Sequence, residues 1–179
     1  SSTTAKEASV RPTIWVNGLA LDLGTLGGTN GQAAAISGNT IVGVSQNAAG
    51  LRRATRWTVN AAGGVLTRTD LGALGTSSSF AFGLNAGGDV VGTSNFHAVL
   101  WRGGSTIDLN TVTTGPAGWT LERAWAINPD GTIVGTGSSL GFPRAFKLSP
   151  SCPTDFNHDG FVTGDDFDGY VQAFVDGLA

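Results

Sequence analysis

The chain has 179 residues and 18.1 kDa, with 28 glycines, 40% hydrophobic residues and only 13% charged ones. That suffices for one ordinary domain plus a small appendage. It is too hydrophobic for a disordered chain, its glycines lack collagen's three-residue period, and no apolar run approaches the roughly 20 residues that span a bilayer. The net charge of −3 is split, with ten Lys/Arg against seven Asp/Glu in residues 1–150 and six Asp without any Lys or Arg in residues 151–179. Neither part has the dense basic face that nucleic-acid binding needs.

Residues 1–13 are expected to form an extended Ser/Thr-rich arm. With no methionine at position 1 and no apolar stretch in Ser1–Ser9, they read as the start of a processed, secreted chain. Cys152 is the one cysteine, so no disulfide can form within the chain. There is no Asn-x-Ser/Thr sequon, which leaves Ser or Thr as the only glycan acceptors.

Residues 14–148 are internally repetitive. Ala35-Ile36-Ser37-Gly38-Asn39-Thr40-Ile41-Val42-Gly43 returns as Gly83-Leu84-Asn85-Ala86-Gly87-Gly88-Asp89-Val90-Val91-Gly92. It returns again as Ala126-Ile127-Asn128-Pro129-Asp130-Gly131-Thr132-Ile133-Val134-Gly135. An aromatic closes a later strand at Trp15, Trp57, Trp101 and Phe146, and Asp-Leu-Gly or Asp-Leu-Asn follows at Asp22, Asp70 and Asp108. Each unit thus predicts four short strands, a to d. Turns such as Asn85-Ala86-Gly87-Gly88 join a to b, since Asn and Gly accept the positive φ of tight hairpins. The glycine of the Val-Gly pair leaves room for another backbone to approach.

The expected fold class is all-β, with propeller-like four-stranded repeats. The chain supplies strands c and d first, then two full units, then a, b and c. About three units of this kind lack one complete closure, which predicts completion by a neighbouring subunit, head to tail, through strand addition.

In the order of these phrases the region resembles the extracellular HAF-repeat family, named for a His-Ala-Phe tripeptide. The tripeptide is partly kept as His97-Ala98-Val99 and Arg144-Ala145-Phe146, with Asp22-Leu23-Gly24-Thr25-Leu26-Gly27-Gly28 as the other recurrent phrase. The resemblance implies secretion and a repeat β fold.

After a linker at 149–154, residues 155–179 carry the sharpest motif. Asp155-Phe156-Asn157-His158-Asp159-Gly160, with an acid at Asp166, fits a calcium loop. Calcium wants six to eight oxygens. Asp155, Asn157 and Asp159 would offer side-chain oxygens, Phe161 its carbonyl, Thr163 the ninth position and Asp166 the last. Asp166 replaces the usual bidentate Glu and is shorter. Phe167, Tyr170, Val171 and Phe174 then mark one face of a helix. Pro150 and Pro153 bar a long incoming helix, so the motif is half an EF-hand. It resembles a single type I dockerin repeat, a family whose paired repeats bind cohesin partners.

Catalytic side chains are scarce. His158 sits at a non-ligand position of the loop, and His97 reads as a strand residue. Asp22, Asp70 and Asp108 hold equivalent places, which favours a turn-capping role in every repeat over a catalytic one. Gly24–Thr29 lacks the Lys of a phosphate loop and reads as a plain loop. Trp119 and Trp125 lie outside the repeat register and could form a sugar platform. The expectation is a secreted, calcium-binding, non-enzymatic structural protein, self-assembling by strand exchange into an extracellular fibre or surface layer. The alternatives are a module binding a glycan or a cohesin-like partner, and, less favoured, a fragment of a polysaccharide-active enzyme.

Overall fold

The computed structural model of the chain describes residues 9–113 and 117–150. The strands described below all lie in one compact unit, residues 1–148. The expected calcium loop and helix lie outside the described residues.

The first unit is all-β, built of four antiparallel sheets, none closed into a barrel. The first sheet pairs β1 (Thr13–Val16) with β2 (Leu19–Asp22). The second runs β3 (Gly27–Ser37), β4 (Thr40–Asn47), β5 (Arg52–Val59) and β6 (Val65–Asp70). The third runs β7 (Ser79–Leu84), β8 (Val90–Ser94), β9 (His97–Arg102) and β10 (Ser105–Asp108). The fourth has β11 (Trp119–Ile127), β12 (Ile133–Ser139) and β13 (Phe142–Leu148). Every strand pairs with its neighbour in sequence. The division into strands c–d, a–d, a–d and a–c is the one the repeats predict. A short helix α1 (Leu109–Val112), capped by the Asp108 side chain, was not anticipated.

Three sequence expectations are corrected by the register. Phe146 lies opposite Gly135, as Val99 lies opposite Gly92. Leu148, opposite Ile133, holds the place that Trp101 holds opposite Val90. Phe146 therefore belongs to the tripeptide position and not to the tryptophan series. Gly27 and Gly28 of the supposed loop open strand β3. Residues 10–12 of the expected arm are tied into the fold: Leu23 N–H donates to the Pro12 carbonyl and Gly31 N–H to that of Val10, both at 2.8 Å.

The recurrent glycine has a specific cause. In each a–b pair the ladder skips one residue of strand a, at Ala34, Phe82 and Trp125, just beside Gly43, Gly92 and Gly135. Such a bulge pushes its strand toward the partner. A Cβ on Gly43 would collide with the Gln32 carbonyl, one on Gly92 with that of Phe80, and one on Gly135 with that of Arg123.

Successive sheets stack face to face. Ile41 and Trp57 of the second sheet pack with Leu23 and the side chain of Ile14. Val42 and Ala54, on the opposite face, pack with Ala81, Val90 and Trp101 of the third sheet. Val91 and Ala98 then meet Leu121, Ala124 and Ile133 of the fourth. Adjacent residues of strand b thus point to opposite faces, as the two-residue period of a strand requires. Full burial of each of the valine, leucine and isoleucine side chains is worth about 1.5–3 kcal/mol.

Candidate functional site

The repeat builds the same polar pair at strands c and d of the first three sheets. Asp22, Asp70 and Asp108 close strand d, where the next residues must turn. Each carboxylate accepts a backbone N–H two residues on, from Gly24 at 2.7 Å and from Gly72 and Asn110 at 2.9 Å. The turn-capping role expected of them is what the geometry displays. Their second oxygen meets an arginine or histidine nitrogen on strand c or just ahead of it. Arg11 Nε lies 2.9 Å from Asp22 and Arg53 Nε 2.9 Å from Asp70. His97 Nδ1 lies 2.5 Å from Asp108.

The Gly24 N–H, then Arg11, holds the Asp22 carboxyl below its ordinary value. At Asp108 burial pushes the carboxyl up, but hydrogen bonds from His97 and Asn110 outweigh it and the net shift is downward. Asp89, on the a–b turn of the third sheet, is lowered chiefly by Arg102, whose guanidinium grips both carboxylate oxygens at 2.8 and 2.7 Å.

His97 and Asp108 resemble a catalytic dyad in isolation. Their equivalents are arginine–aspartate pairs, and an arginine does not serve as a proton acceptor near neutral pH. The arrangement is a structural clasp, with histidine in one of three places. Sequence reading missed the clasp, although the basic residues Arg11, Arg53, His97 and Arg144 all precede the tripeptide's second residue, which is Pro12, Ala54, Ala98 or Ala145.

The fourth clasp is half made. Arg144 occupies the position of Arg53 and His97, but the fourth sheet has no strand d among the described residues. Its guanidinium donates to the carbonyl of its own neighbour Pro143 at 3.1 Å and lies 5.8 Å over the Phe142 ring. It has no carboxylate partner among the described residues.

The two tryptophans set aside as a sugar platform do not come together as one. Trp119 packs against the core between the third and fourth sheets. Trp125 is the bulge residue of β11, in register with Phe82 after all. The two rings stack at 4.6 Å, and the Trp125 indole N–H donates to Thr136 at 3.1 Å. Nearby, an open groove of about 510 Å³ is lined by Ser77, Phe80, Phe82, Asn95, Phe96 and Arg123, among others. Phe96 is thrust into solvent from a turn in which Asn95 and Phe96 both have positive φ, 50° and 63°.

Asp155, Asn157, Asp159, Phe161, Thr163 and Asp166 lie outside the described residues. Among the described residues no group of three His, Cys, Asp or Glu could hold a metal, and no helix is long and apolar enough to cross a membrane.

No family model and no curated protein matches the chain. Function is therefore argued from the residues themselves. Within the described residues their chemistry offers paired charges that lock turns, an open sheet edge and one aromatic groove.

Proposed function

We propose that this chain is a secreted, calcium-binding structural protein whose propeller-like repeats assemble with copies of themselves into an extracellular fibre or surface layer. The observation that carries the reading is the outer edge of β13, which pairs with no strand among the described residues. In the second and third sheets β6 and β10 cover the equivalent edge and supply the aspartate of the clasp. At β13 the backbone donors and acceptors of one side, together with Arg144, meet no strand among the described residues. An edge of that kind is a template for strand addition, and a head-to-tail contact propagates instead of closing on a pair.

Calcium enters through Asp155, Asn157, Asp159, Phe161, Thr163 and Asp166, whose spacing supplies the oxygen ligands of a calcium loop. Electron microscopy and sedimentation velocity of the full chain, with calcium and with a chelator, test the reading. Rings or filaments that come apart on chelation support it. A monomer at every concentration and in both conditions removes it.

One observation favours a second reading, glycan recognition. The Phe80–Phe82–Phe96 groove combines the exposed Phe96 ring and the half-buried Phe80 and Phe82 with Ser77, Asn95 and Arg123, the mixture of stacking surface and hydrogen-bonding groups that sugar binding uses. Binding of glycans that disappears in Phe96→Ala would move the weight to this reading.

A further inference from the structure

We infer that the two end faces of the sheet stack are complementary, and that a second copy of this chain seats its first sheet on the fourth sheet of another. The inference rests on the self-assembly reading and specifies which surfaces meet. Three sheet-to-sheet interfaces inside the chain follow one rule. The side that a sheet turns toward its predecessor carries the first apolar residue of strand b and the large residue of strand c: Ile41 with Trp57, Val90 with Trp101, Ile133 with Leu148. The side turned toward its successor carries the next residue of b and the small residue of c: Val42 with Ala54, Val91 with Ala98.

Trp57 is 0% and Trp101 2% exposed because a preceding sheet covers each. Trp15 has the same place on the first sheet, opposite Ala20, and is 71% exposed. At the other end, Val42 and Val91 are 0% exposed beneath their successors, whereas Val134 is 44% exposed. Ala145 and Lys147 lie open beside it.

One end therefore presents a tryptophan without the small-residue surface on which its equivalents rest. The other presents that Val-Ala surface without a tryptophan. Seating Trp15 of one copy over Val134 and Ala145 of the next would continue the intramolecular stack across the molecular boundary. The contact is heterologous, because the two patches differ, and so it repeats along an axis. It is also separate from strand addition, which uses the backbone edge of β13 and not the sheet face.

The test uses the full chain and two variants, Trp15→Asp and Val134→Asp. Both side chains are exposed, so neither substitution opens a core. Each variant alone is expected to raise the concentration for half-assembly by at least about tenfold, the ratio that 1.4 kcal/mol produces. An equimolar mixture is expected to recover one contact only, the intact Val134 face of the first variant against the intact Trp15 face of the second. It should regain one face contact per pair and so sediment ahead of either variant alone. Near-ultraviolet circular dichroism of each variant checks that the sheets are unchanged.

If the unmodified chain stays monomeric, both this inference and the assembly reading fall. If it assembles and both variants assemble equally well, the inference falls while the assembly reading stands. If each variant is monomeric but the mixture does not pair, the head-to-tail geometry is wrong.

Discussion

Trp57 donates its indole N–H to the carbonyl of Gly24 at 3.0 Å, tying strand c of the second sheet to the turn that leaves the first. Trp101 occupies the same repeat position, equally buried, yet its indole N–H finds no acceptor among the described residues. The Gly72 carbonyl, which stands where Gly24 does, is taken instead by the Ser79 hydroxyl at 2.7 Å. Replacement by Phe leaves similar cavities at both sites but opposite polar consequences. Trp57→Phe strands a buried carbonyl, whereas Trp101→Phe removes a donor that has nothing to bond. The first is expected to be more destabilising than the second by about 1–3 kcal/mol. Urea denaturation of the two variants decides it, and equal losses would show that the hydrogen bond is energetically idle.

The bulge glycines make a second comparison. In Gly92→Ala the new methyl collides with the Phe80 backbone carbonyl, which cannot rotate aside. Overpacking of that kind costs about 1–3 kcal/mol. Gly87→Ala, in the a–b turn of the same sheet, has a side-chain oxygen of Asn85 as its nearest neighbour at 3.3 Å and no positive φ. It is expected to fall within about 1 kcal/mol of the unmodified chain, since loss of glycine's freedom in the unfolded state offsets the tightness. A reversed order in thermal melts would mean that the ladder can shed its bulge.

Acid sensitivity follows from the lowered carboxyls. Asp89 is held below its ordinary value of 3.8 by Arg102 first, so its charged form is favoured by folding. Its stabilisation is complete above that ordinary value and drains away as the pH falls toward the folded-state value. Asp89→Asn should lower stability at neutral pH and flatten the acid limb of the stability–pH curve. Denaturant midpoints at neutral pH and near pH 3 for both proteins give the comparison. Parallel curves would show that the other lowered carboxyls, Asp22, Asp108 and Asp130, carry the acid transition.

Calcium titration of the full chain should saturate at one ion, as a single loop of this kind requires. Asp159→Asn, which removes a charged ligand, should weaken binding at least about tenfold. Asp166→Glu should strengthen it by restoring a longer, bidentate final ligand. Calorimetry reads both, and unchanged affinity in Asp159→Asn would put the ion elsewhere.

Much of the fold was legible because the repeat signals are local. Asn-Gly turns, Val-Gly pairs and Asp-Leu-Gly phrases each fix a few consecutive residues, and together they placed the strands of all four sheets. What escaped depends on residues brought together across strands. The clasp joins Arg53 to Asp70, 17 positions apart, through the register of β5 with β6. The stacking of Phe82 on Trp125 needs two bulges in different sheets to coincide. Phe146 was misplaced in the tryptophan series because it is the aromatic in that stretch, whereas the residue opposite Ile133 is the leucine Leu148, and only the ladder to β12 shows which of the two holds the place. Of the candidate chemistry, the aspartate caps were readable from turn preferences, while the calcium ligands rest on spacing alone.

The pairing of every strand with its sequence neighbour also governs how the chain reaches this structure. Long-range pairings slow β proteins, because large loops must close before any contact rewards them. Here each hairpin closes over a short turn, and a finished sheet offers its successor a ready surface. The order of formation can therefore follow the order of synthesis, each sheet docking on the one made before it. The two-stranded first sheet, too small to be stable alone, would wait for the second before it holds.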